Sequence, residues 1–66
     1  MNTTKPFTPK TKIVNKDWLD RRIYELNNWL FENPIHAERS QKEHARNYYV
    51  DKLIKLETNG FKMIEV

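Results

Sequence analysis

Leu19, Ile23, Leu26 and Leu30 recur at intervals of four, three and four, and this spacing constrains the chain more than any other feature. Four apolar residues so placed fall within one narrow arc of an α-helix, the stripe of a buried face. The spacing predicts a helix from Lys16 to Glu32. Asn15 stands at the N-cap position, Asp17 lies in the first turn where the macrodipole favours negative charge, and Val14 and Leu19 are set as a hydrophobic staple. Asn33-Pro34 breaks the pattern, and the chain reverses through Ile35 to Arg39.

A second apolar face follows in Ala45, Tyr49, Leu53 and Leu56, with Tyr48 at its margin. Ser40-Gln41-Lys42-Glu43 matches a capping box and places the start of this helix at Ser40. An earlier start, with Asn33 as cap and Pro34 in the first helical position, is the alternative. Asn59-Gly60 supplies a left-handed C-terminal position, with Phe61 placed to contact Leu56 in a Schellman arrangement. A short connection between two such faces implies an antiparallel helical hairpin. The β-branched run Thr11 to Val14 and the tail Phe61 to Val66 read as short strands, so the expected fold is mainly α, in the order strand, helix, helix, strand.

Residues 1–11 form a separate stretch. Lys5, Lys10 and two prolines, Pro6 and Pro9, predict an extended basic arm, with Phe7 as its only large apolar anchor, ahead of a single domain over 12–66. That phenylalanine could dock on the domain, on a second copy or on a partner. The N-terminus has no apolar run of signal-peptide type and no stretch reaches transmembrane length, so a cytoplasmic protein that does not enter membranes is expected, read as a complete short frame from Met1.

Size makes surface the central question. A domain of about 60 residues buries only about 60% of the surface its unfolded chain exposes, and with no cysteine there is no disulfide to supplement the core. Yet apolar residues occupy more than one face of each helix. Beside the first spine runs a second stripe, Trp18, Arg22, Glu25 and Trp29, built from residue types enriched at binding hot spots, with Arg22 in reach of Trp18 for a cation–π contact. The alternative is that both tryptophans wrap the edge of a small core. Val50 and Ile54 point away from the second helix's core face, and are either incidental surface or, the favoured reading in so small a core, a contact for another layer. The tail strand would leave an edge that a second copy or a partner strand could pair.

Catalytic constellations are weak by comparison. His36 and His44 straddle a helix start at a spacing that matches no zinc motif, and His36-Ala37-Glu38 lacks the cysteines that a deaminase site requires, so no metal and no cofactor is expected. Ser40 one turn from His44 is better explained as a cap than as a nucleophile. The single glycine, Gly60, excludes a phosphate-cradling glycine loop.

Two functional expectations remain. The first is a non-enzymatic binding protein that acts stoichiometrically as an inhibitor or adaptor of a partner protein and self-associates, with Trp18, Arg22, Glu25, Trp29, Val50 and Ile54 as the contact residues. Richness in Asn, Lys and Ile fits the small proteins of phages and mobile elements. The alternative is nucleotide or nucleic-acid binding, in which Arg39, Lys42 and Arg46 meet phosphate, Tyr48 and Tyr49 offer rings for stacking, and the basic arm adds charge. The interleaved acids Glu38 and Glu43 oppose it.

Overall fold

A computed structural model describes residues 12–66, and the expected basic arm over residues 1–11 lies outside them. Within that span β1 (Ile13–Asn15), α1 (Lys16–Glu32), α2 (Arg39–Thr58) and β2 (Met63–Glu65) follow in order. The helical hairpin and its flanking strands are therefore as the periodicity predicts.

Local chemistry sets the element ends. The Trp18 backbone N–H donates to Asn15 Oδ1 at 2.9 Å, and Asn15 itself keeps extended backbone angles. One asparagine thus closes β1 and caps α1. The staple also forms, since Val14 and Leu19 are 4% and 0% exposed and share one cluster. At the far end of α2 the Phe61 N–H donates to Leu56 O at 2.9 Å and the Gly60 N–H to Glu57 O at 3.2 Å. This is the Schellman pair, and Gly60 takes the left-handed φ of +67° that it needs.

Three contacts fix the direction of the hairpin: Trp18 meets Tyr49, Asn27 meets Arg46, and Leu30 meets Arg39. One number falls as the other rises, so the helices are antiparallel. The strands extend this arrangement, with Ile13 opposite Glu65, Val14 opposite Ile64 and Asn15 opposite Met63. A further bond runs from the Val66 N–H to Lys12 O at 2.8 Å. Antiparallel bonding alternates, so Val14 and Ile64 bond to each other while Ile13, Met63 and Glu65 turn backbone groups to the outer edges.

The core sits where ribbon and helices meet. Val14, Leu19, Leu56 and Val66 form its buried cluster, with Trp18, Tyr48, Tyr49, Leu53 and Ile64 packed around it. Leu26, Leu30 and Ala45 continue the buried seam toward the turn, and Ile23 on the same spine is half-buried.

The start of α2 differs from expectation. The helix begins at Arg39, its N-cap is Glu38 with no side-chain capping bond, and Ser40 lies inside the first turn. The capping box at Ser40 and Glu43 does not form, and neither does a start from Asn33, which is the C-cap of α1. Tertiary bonding explains the shift. With position 39 already helical, the Arg39 guanidinium reaches back to α1, donating to Leu30 O and, at 3.1 Å, to Asn33 O. Those carbonyls are the orphan acceptors of a helix whose last turn carries no basic residue of its own. Glu43, free of a capping role, pairs with Arg39 at 3.6 Å.

Candidate functional site

The first turns of α1 and the middle of α2 frame an open concavity of about 510 Å³ lined by Trp18, Arg21, Arg22, Glu25 and Tyr49. Helix spacing accounts for the α1 side. Positions 18, 21, 22 and 25 are three and four residues apart and share one face. Tyr49 crosses from α2, its ring meeting Trp18 edge-to-face at 5.5 Å. Both rings pack on the buried cluster, so the floor of the concavity is the rim of the core.

Charge surrounds this aromatic floor. Arg22 Nη1 lies 3.4 Å from Glu25 Oε1, with the two side chains 40% and 56% exposed. The cation over the Trp18 ring is Lys12, whose Nζ is 4.8 Å from the centroid, whereas Arg22 turns to Glu25. Arg21 is exposed and makes no hydrogen bond or ion pair among the described residues. A turn earlier, Lys16 donates to Asp20 at 2.7 Å and lies 3.7 Å from Glu57, tying the start of α1 to the end of α2. Its pKa is raised above the usual 10.5, first by the hydrogen bond and charge of Asp20 and then by Glu57.

The expected tryptophan stripe therefore divides. Trp18, Arg22 and Glu25 come together, but Trp29 lies about 16 Å further along α1 and belongs to the turn. Its ring packs edge-to-face on His36 at 4.8 Å, and Lys42 Nζ sits 5.4 Å from its centroid. Val50 is half-buried and Ile54 is 55% exposed on α2, and neither lines the concavity.

The basic residues at the start of α2 are committed to α1. Besides Arg39 on the Leu30 and Asn33 carbonyls, Arg46 Nη1 donates to Asn27 Oδ1 at 2.7 Å and its Nε to Asn47 Oδ1 at 2.8 Å. Lys42 lies over Trp29. Arg39, Lys42 and Arg46 together form a clasp between the helices. Of the two tyrosines once grouped with them, Tyr48 meets Tyr49 edge-to-face at 5.5 Å with Lys52 Nζ 5.3 Å from its centroid, and Tyr49 lines the concavity. His36 also serves the turn, its Nδ1 accepting the Glu38 N–H at 3.0 Å.

Arg21 is the site residue that sequence periodicity did not single out, and Tyr49 is singled out only away from the tryptophan stripe. Arg21 follows Asp20 as one charge among many on the surface of α1, and Tyr49 reads as core or as a stacking ring beside Arg39, Lys42 and Arg46. The signal for Arg21 was its position three residues after Trp18 on the stripe's flank. For Tyr49 only the helix pairing reveals it.

Among the described residues no helix is long and apolar enough to cross a membrane. No known protein family, curated protein or solved structure matches the chain. What defines it is its architecture, a helical hairpin closed at its open end by a two-stranded antiparallel ribbon.

Proposed function

We propose that this chain is a non-enzymatic binding protein that occupies a partner protein stoichiometrically, as an inhibitor or adaptor, through the face around Trp18, Arg22 and Glu25. The observation that carries the reading is the concavity itself: two rings held rigidly on the core rim, next to guanidinium groups open to solvent. Rigid aromatics beside arginine supply contact area and directional bonds at low entropic cost, the composition of interface hot spots. Among the described residues a further seven large apolar side chains are at least half exposed, Phe31 at 86% and Ile35 at 95% among them, which supports additional contact, including self-association. The base composition implied by Asn, Lys and Ile keeps a phage or mobile element as the proposed source.

Capture from extracts of the encoding organism tests this. Tagged wild-type chain is expected to retain one protein at a fixed molar ratio, and Arg22→Glu is expected to lose it while keeping its helical circular dichroism. Retention unchanged by Arg22→Glu and by Trp18→Phe would remove the assignment of this face.

A further inference from the structure

We propose that the concavity takes a carboxylate side chain from an acidic segment of the partner, with Arg21 as its principal ligand. This rests on the protein-binding reading above and names the chemistry of what is bound.

The charge pattern points to an anion. Two guanidinium groups, Arg21 and Arg22, line the concavity with one carboxylate, Glu25, while Lys12 lies over its Trp18 ring and Asp17 and Asp20 stand outside the lining. Glu25 is held by Arg22 at 3.4 Å, and both partners are substantially exposed. Such a pair is weak and exchanges readily. Arg21 has no partner at all among the described residues, although Asp17 and Glu25 lie one turn to either side of it on α1. A planar guanidinium matches a carboxylate through two parallel N–H bonds. Beside Trp18 and Tyr49, which shield one side from water, those bonds act in a lower local dielectric than on open surface.

The rings favour peptide over nucleic acid. Base recognition needs a free aromatic face on which a base can stack. Lys12 lies over the Trp18 ring, and the Trp18–Tyr49 and Tyr49–Tyr48 contacts are edge-to-face at 74° and 77°, so these ring pairs do not offer parallel faces between which a base would stack. Asp17 and Asp20, within the turn before Arg21, also oppose an extended run of phosphates. A single carboxylate needs no free ring face and meets those acids once, where a phosphate run would meet them repeatedly.

The test pans a random dodecapeptide display library on the immobilised full chain, then measures selected peptides against wild type, Arg21→Glu and Arg21→Lys. Because Arg21 is exposed and makes no hydrogen bond or ion pair among the described residues, both variants are expected to keep the wild-type circular dichroism. Enriched peptides should share Asp or Glu next to an apolar residue. Their binding should weaken about tenfold or more in Arg21→Glu, the scale of losing a charge-assisted contact, and recover in part in Arg21→Lys. Enriched peptides without a carboxylate, or bound equally by Arg21→Glu, would overturn the inference and leave the binding reading standing. If no peptide is enriched over bare support, the binding reading falls and the inference with it. A parallel titration with an oligothymidylate monitors tryptophan fluorescence. An Arg21-dependent change there would assign the concavity to single-stranded nucleic acid and overturn the inference.

Discussion

Replacing Arg39 by methionine isolates the clasp at the turn, because methionine keeps most of the aliphatic bulk and removes only the guanidinium. The wild-type group donates to the Leu30 and Asn33 carbonyls at the end of α1 and is itself about one-third exposed. A hydrogen bond from a charged donor contributes about 1.5–3 kcal/mol when well buried. Partial exposure lets water replace it, which brings each bond here to about 1 kcal/mol. The favourable charge at a helix C-terminus adds about 0.3–1 kcal/mol. The expected loss is about 2.5 kcal/mol. For 66 residues, with an unfolding entropy of about 2.1 cal/mol/K per residue, this lowers Tm by about 18 °C.

Urea unfolding followed by circular dichroism at 222 nm measures the loss directly, and a calorimetric scan measures the shift in Tm. Arg39→Lys should fall between wild type and Arg39→Met, since an ammonium supplies charge without a fork that reaches both carbonyls. Glu43→Gln should move stability by no more than about 0.5 kcal/mol, because its contact with Arg39 is a 3.6 Å surface pair. A loss below about 0.5 kcal/mol in Arg39→Met would refute the reasoning. It would also return Arg39 to the phosphate-binding role that its sequence context suggests.

Other perturbations probe the remaining joints. Asn15→Ala removes the acceptor for the Trp18 N–H and should cost about 1 kcal/mol by urea unfolding, whereas Asn15→Asp should cost little. Gly60→Ala should cost about 1 kcal/mol purely from φ, since a Cβ there would meet nothing within 4 Å. The Lys16 pairing, with its pKa raised by Asp20 and Glu57, should stabilise fully below pH 10.5 and fade as pH rises through the raised value. Asp20→Asn should flatten that alkaline loss in a stability profile. An identical profile would show that the pair does not couple to folding.

How much of this was legible beforehand depends on the range of the interaction responsible. Asn15, the Leu19 spine and Asn59-Gly60 act within one or two helical turns, and their roles are written in local spacing. The capping box at Ser40 is equally local in pattern, yet it lost. Starting α2 at Arg39 lets one guanidinium bond carbonyls of another helix, and a Ser40 cap would satisfy only the first turn of its own. Val66 illustrates the same limit at the other end. Nothing in its local spacing marks it as core, but strand pairing through the Lys12 carbonyl carries it there at 7% exposure.

The site follows from this division between near and far. Periodicity placed Trp18, Arg22 and Glu25 on one face, and the helix pairing then decided which of that face's residues could cooperate. Antiparallel packing brings Tyr49 across to Trp18 at the ribbon end and His36 and Lys42 to Trp29 at the turn. Two tryptophans that superpose in helical projection thus end in different environments. The same packing draws Arg39 and Arg46 inward and leaves Arg21, on the far side of the stripe, facing solvent. Cation count alone favoured the start of α2 as the anion site. Once the intramolecular acceptors are assigned, Arg21 beside the aromatic floor keeps a guanidinium with no hydrogen-bond partner among the described residues, which is why the proposed carboxylate contact is placed there.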